Sequence, residues 1–207
     1  VTGYYMESRA GGIHLAKPPG STIYTVYRGI GPRSLGYDEA RSFDQFLLTC
    51  AVQRGARYVN ALVSDIRLPK DPTAPVEVVY GDGKRYLADA VVGAFGLHSG
   101  LGRRVEALGF GYRSPKPIQA CQAEIPLDEA FIRETFRGQI KIFNLGLPRI
   151  RFAALTPKHR HVTVSVIGKR VSRPDLESFL HHPRVRSHFP PGWQVPADYC
   201  CCHPLLP

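Results

Sequence analysis

Long apolar runs are what this sequence most plainly lacks. No stretch of its 207 residues approaches the roughly 18 consecutive apolar residues of a membrane-spanning helix. The opening VTGYYMESRAGG has no initiating Met and neither the basic start nor the apolar segment of a secretory signal. Acidic residues are scarce, 17 Asp and Glu against 27 Lys and Arg. They are also scattered, which disfavours the paired carboxylates of glycoside hydrolysis. His-Glu-x-x-His is absent, and His181 and His182 are adjacent rather than one helical turn apart. Gly-x-Ser-x-Gly is absent too, which argues against a nucleophile-elbow hydrolase. Five cysteines, an odd number without a secretion signal, argue against a disulfide framework and for a reducing, cytoplasmic setting. Three of them, Cys200, Cys201 and Cys202, are contiguous and followed by His203. Zinc ligands are usually about two to four residues apart so that they converge, whereas neighbours in an extended segment point to opposite sides; no metal is expected.

What is present begins with an ordinary globular composition, 43% hydrophobic and 21% charged, enough for a sizeable core. The net charge of +10 is uneven: residues 101–207 carry 16 Lys and Arg against 8 Asp and Glu, residues 1–100 carry 11 against 9. The basic residues are dispersed (Arg133, Arg137, Lys141, Arg149, Arg151), as on a solvated face or around a phosphate-bearing ligand. Aromatic residues do not alternate with Lys and Arg along one strand face, which disfavours a nucleic-acid platform.

The opening predicts a strand pair turning at Gly11–Gly12, a short strand over 23–27, and a basic, glycine-rich loop over 28–41. Phe43, Phe46, Leu47, Cys50 and Ala51 then form one helical stripe, with Ser42 and Gln45 as a capping box and Gly55 as the stop. Asp82–Gly83 between two alternating runs predicts a hairpin. A further strand is expected to lead into GAFGLHSGLGRRV, a glycine turn opening a helix. From about residue 115, PIQACQAEI, GQIKIFNL, RIRFAALT and HVTVSVIG read as an antiparallel sheet with one dry and one available face, interrupted by a helix near 128–136. A short helix and a helical turn broken at Pro183 follow. The fold class is α/β to α+β, with a composition boundary near residue 112.

The glycine turn has neither the G-x-G-x-x-G spacing nor a following Gly-Lys-Ser/Thr. On spacing alone it serves equally as an ordinary strand-to-helix turn or as a close approach to a phosphate.

The order of segments carries more. ARSFDQFLLTCAVQRGA, ALVSDI, GDGKRYLADAVVGAFGLHSGLGRRV and RIRFAALTPKHRHVTVSVIG together resemble the middle of FAD-dependent oxidoreductases of the geranylgeranyl-reductase-like and p-hydroxybenzoate-hydroxylase-like superfamily. The resemblance implies part of a Rossmann-like FAD-binding domain over 1–111 and a substrate-side antiparallel sheet with helices over 112–207. It implies Arg41 near the flavin, Val63 near the adenine, and Gly93, Gly96 and Ser99 on the phosphate side. Phe152, Thr156, Pro157 and Lys158 would belong to the substrate-side sheet. FAD is then the cofactor and NAD(P)H a source of electrons. The expected reaction is reduction of an apolar or isoprenoid-like small molecule, with flavin hydroxylation as the alternative. A basic binding module without catalysis is the reading from another class. An apolar substrate also implies peripheral contact with a membrane. Apolar side chains at Phe143, Phe152 and Leu155 suit either a substrate wall or a core.

Two departures stand out. Phe95 occupies the place where the family pattern has Asp, and Arg103 comes one residue later than the family's Ser-x-x-Arg. Phenylalanine accepts no hydrogen bond, so nicotinamide recognition through that Asp is lost. Such flavoproteins also carry an initial strand–G-x-G-x-x-G–helix and a later Gly-Asp segment. Neither is in this sequence, so the chain is expected to be an internal fragment.

Overall fold

The computed structural model describes residues 1–24, 42–97 and 99–206. They divide into two compact units, residues 1–54 with 118–204, and residues 55–117 with 205–207.

The first unit opens with the expected hairpin, β1 (Gly3–Ser8) and β2 (Gly11–Ala16). Its turn is Arg9–Ala10 rather than Gly11–Gly12, because Ser8 already pairs with Gly11. Arg9 anchors that turn, its guanidinium donating to the carbonyls of Leu145 and Gly146, each at 2.9 Å. Gly12 serves packing instead: a Cβ there would run into the Tyr5 ring. Ile23 and Tyr24 are not in a strand, and the rest of the strand expected over 23–27 and the loop over 28–41, including Arg41, fall outside the described residues. Helix α1 (Phe43–Gln53) forms where its stripe predicts, with Ser42 Oγ accepting from Gln45 N at 3.4 Å. Its stripe is uncovered: no residue of α1 is buried, and Phe46 is 57% exposed.

All four later strands appear, as β6 (Ile118–Pro126), β7 (Gln139–Asn144), β8 (Ile150–Pro157) and β9 (His161–Gly168), with α3 (Glu129–Phe136) between the first two. Helices α4 (Arg173–His181) and α5 (Pro183–Arg186) and strand β10 (Cys201–Cys202) follow. The strands run in the order β10–β6–β9–β8–β7–β1–β2. The sheet is mixed rather than purely antiparallel because β1 lies parallel to β7, Gly3 opposite Gln139 through Ser8 opposite Asn144. That pairing also draws residues 1–54 to the later strands. A seam between the two units falls at 117–118.

Alternation decides the core. Val162, Val164 and Val166 of β9, Ile125 of β6, Leu155 of β8 and Phe143 of β7 point to one face. There they join Phe136 of α3 and Leu176, Phe179 and Leu180 of α4 in one buried cluster. Each such side chain contributes about 1.5–3 kcal/mol when removed from water. Cys121 lies in the same cluster, and burial beside Cys201 pushes its thiol up to about 12.

At one end of this face the core turns polar. His188 packs edge-on against Phe143, centroids 5.5 Å apart, and its Nε2 lies 3.9 Å from a Glu7 oxygen. Burial lowers the imidazole pKa from 6.5, the Lys141 ammonium lowers it further, and Glu7 opposes both. Because the unfolded chain then binds the extra proton, this contribution to stability is complete above pH 6.5 and falls as the pH drops below it. Urea midpoints are expected to fall between about pH 7 and pH 5, less steeply in His188→Gln. Equal slopes for the two proteins would refute the assignment.

The second unit holds β3 (Val63–Arg67), β4 (Val76–Tyr80) and β5 (Lys84–Ala88) in an antiparallel sheet of that order. The predicted hairpin joins β4 to β5 through Gly81, Asp82 and Gly83, the glycines supplying φ of 54° and 84°. Arg67 ties β3 to β4 through Glu77 at 2.8 Å. Helix α2 (Leu101–Ala107) follows the glycine turn as expected. The strand expected before that turn is absent: residues 90–96 carry no strand, and Val92 is 91% exposed. A β-branched run becomes a strand only when a neighbouring strand supplies hydrogen bonds, and none pairs with it among the described residues. No described helix is long and apolar enough to cross a membrane.

Candidate functional site

The expected site residues separate between the two units. In the second, Gly96 and Ser99 line a cavity of about 290 Å³ with Gly100, Arg103, Tyr112 and Ser114. Gly96 adopts φ 65°, and the space where its Cβ would lie is open, so backbone is presented to the cavity without a side chain in the way. Ser99 Oγ accepts from Leu101 N at 3.1 Å, closing the turn onto α2. Gly93 and Val63 do not line this cavity. Gly93 instead makes room for Phe95, whose ring a Cβ at 93 would meet at 2.5 Å. The same ring lies 4.0 Å from where a Gly102 Cβ would stand. Phe95 is thus an apolar wedge between the turn and α2. Val63 begins β3 opposite Tyr80.

In the first unit the helices cover only one face of the sheet. Phe152 and Thr156 point to the other, with Phe152 40% exposed. Phe143 and Leu155 do not join them: both are buried on the helix-covered face, one residue out of phase. Pro157, opposite Val162, is also in the core-facing register. Lys158 follows the strand, its N–H donating to the His161 carbonyl at 2.9 Å to close the turn into β9.

The face away from the helices carries polar residues that the motifs passed over, buried on β9 at Thr163 and Ser165. Gln122 Nε2 donates to Ser165 Oγ at 2.9 Å, and Glu124 stands opposite Thr163. A Glu124 oxygen lies 3.7 Å from Nε2 of the buried His161. Burial pulls the Lys158 ammonium below its usual pKa, and the Glu124 carboxylate opposes this. Glu124, His161 and Lys158 thus lie near one another where β6 ends and β9 begins. The signal was in the alternation: Gln122 and Glu124 in QACQAE, and Thr163 and Ser165 in HVTVSV, fall on the face opposite the valines. Among the described residues no cluster of His, Cys, Asp or Glu is arranged to hold a metal.

A mixed sheet with helices on one face, together with a small three-stranded sheet and a glycine turn, is a fold this chain shares with several solved structures. Over 99% of its length the chain superposes on the flavin-dependent brominase Bmp2, with a TM-score of 0.63 and 16% identity. Over 98% it superposes on a flavoprotein/dehydrogenase from Cytophaga hutchinsonii (TM-score 0.62, 14% identity). A geranylgeranyl bacteriochlorophyll reductase-like protein from Thermoplasma acidophilum matches over 98% (TM-score 0.58, 15% identity). The chain spans about half the length of each, 50%, 49% and 49% respectively. No family model and no curated protein matches the sequence.

Proposed function

We propose that this chain forms part of an FAD-dependent oxidoreductase that reduces an apolar or isoprenoid-like small molecule. The observation that carries the reading is a fold shared over 98–99% of the chain with one protein described as flavin-dependent and one described as a flavoprotein. The cavity at the glycine turn fits the phosphate end of such a cofactor: backbone is accessible at Gly96, and Arg103 adds a cation suited to phosphate oxygens. We assign Gly93, Gly96 and Ser99 to that end, Val63 to the adenine and Arg41 to the flavin. When bound, FAD supplies the hydride or oxygen chemistry. The chain orients the substrate on the open sheet face, where Phe152 and Thr156 lie, and holds a proton at Glu124, His161 or Lys158. Phe95 cannot accept a hydrogen bond, so electrons come from NAD(P)H engaged elsewhere or from another reductant. Five free thiols suit a reducing, cytoplasmic setting. Hydroxylation on the same scaffold is the second reading, favoured by the likeness to a flavin-dependent brominase.

Titration of the full-length protein with FAD, followed by quenching of flavin fluorescence, tests the proposal. One flavin per chain is expected, with Gly96→Val and Arg103→Ala each weakening binding about tenfold. Absence of binding by the unaltered protein would overturn it. Oxygen uptake coupled to substrate then separates hydroxylation from reduction.

A further inference from the structure

We infer that Cys121 and Cys201 are a peroxide-sensitive dithiol whose reversible disulfide clasps β10 onto β6. The two are distant in sequence and meet through the sheet. β10 lies antiparallel to β6, with Cys201 opposite Ala123 and Cys202 opposite Gln122. Alternation then sorts these two neighbouring cysteines to opposite faces. Cys201 shares the face of Ala123 and Cys121, and it packs against the buried cluster that contains Cys121. Its side chain is within hydrogen-bonding reach of the Cys121 thiol. Cys202 turns away, its Sγ donating to Gln122 Oε1 at 3.8 Å. Cys200 precedes the strand and is exposed. All of these are free thiols. Consecutive Cα atoms stand about 3.8 Å apart across a trans peptide, closer than the roughly 4.4 Å at which disulfides begin, so the run 200–202 is poorly placed to pair within itself. Cys201 is therefore the one of the three that Cys121 can take.

Hydrogen peroxide supplies the oxidising equivalents. The half-buried Cys201 sulfur attacks one peroxide oxygen; the O–O bond breaks, leaving a sulfenic acid and one water. The Cys121 sulfur then attacks the sulfenic sulfur, the S–S bond forms, and the hydroxyl leaves with the Cys121 proton as a second water. Two thiols thus lose two electrons and two protons to one peroxide. Cys121 is 0% exposed, so it resolves the reaction rather than starting it. The pair stands diagonally across the ladder, where Cα atoms are usually about 7–8 Å apart, whereas a relaxed disulfide spans about 4.4–6.8 Å. Closure must therefore draw β10 along β6. β10 can yield, because two residue pairs hold it, while eight join β6 to β9. A disulfide under that tension is easily reduced, which makes the clasp reversible.

The test treats reduced full-length protein with equimolar hydrogen peroxide, caps the remaining thiols with N-ethylmaleimide and maps the products by mass spectrometry after trypsin. A cross-link between the peptide holding Cys121 and the peptide holding Cys200, Cys201 and Cys202 is expected, and glutathione should reverse it. Cys121→Ala and Cys201→Ala should each abolish the cross-link, while Cys50→Ser, Cys200→Ser and Cys202→Ser keep it. Cys201→Ala, at a half-buried position, keeps the test independent of any loss of core packing in Cys121→Ala. The native protein should form the bond at least about tenfold faster than the urea-unfolded protein, because the fold holds the two sulfurs together. The Ala120 N–H donates to the Pro204 carbonyl at 2.9 Å and should exchange faster once β10 is drawn along β6. No cross-link in the unaltered protein, a cross-link that survives in Cys201→Ala, or formation no faster than in urea would each overturn the inference.

Discussion

Phe143→Ala is expected to lower the free energy of unfolding by about 3–5 kcal/mol, measured by urea denaturation. Phe143 is 1% exposed in the middle of the helix-covered face. Its ring meets Phe179 of α4 edge-on at 5.3 Å and His188 at 5.5 Å. Truncation removes the largest side chain that β7 contributes to the core. It also leaves a cavity that α4 and the residues after α5 cannot both collapse into. A loss under about 1 kcal/mol would mean that the site relaxes freely and that the two aromatic contacts contribute little.

Gly168→Ala is expected to cost about 1–3 kcal/mol. Gly168 ends β9 opposite Ile150, beside the irregularity in β8 between Ile150 and Phe152. A Cβ there would collide with the carbonyl oxygen of Arg149. Arg149 has little room to yield. It adopts φ 63° without being glycine, and its guanidinium is held 2.8 Å from Asp175. Asp175 in turn accepts from Ser172 N at 2.9 Å and Ser172 Oγ at 2.8 Å, capping α4. Displacing Arg149 therefore loosens both the cap of α4 and the irregular start of β8 just before Phe152. The measurement is the urea midpoint, expected to fall; an unchanged midpoint would show that the strand end shifts at no cost.

Where sequence and structure part, the reasons are local. The four later strands were legible because alternation over six to nine residues has one strong solution, and α1 was legible from its stripe and its Ser42 cap. Gly11–Gly12 misled because two adjacent glycines mark turns, while here Gly12 is required by the Tyr5 ring across the hairpin. AVVGA reads as a strand through its side chains, yet strand formation depends on a partner that a local pattern cannot supply. Phe143, Phe152 and Leu155 looked alike as apolar strand residues. Alternation along β8 puts Phe152 and Leu155 on opposite faces, and only the cross-strand register, Phe143 opposite Ala153, puts Phe143 on the face of Leu155.

By itself the sequence determined the element types, the hairpins, the placing of Gly96 and Ser99 at a turn before a helix, and the alternation that gives the sheet two unlike faces. These are short-range properties, set by backbone sterics, side-chain periodicity and capping. Tertiary structure alone decided that β1 inserts parallel to β7, which face the helices cover, and which residues of separate strands stand opposite one another. Those outcomes depend on hydrogen bonds and packing between segments more than a hundred residues apart, such as Met6 with Ile142.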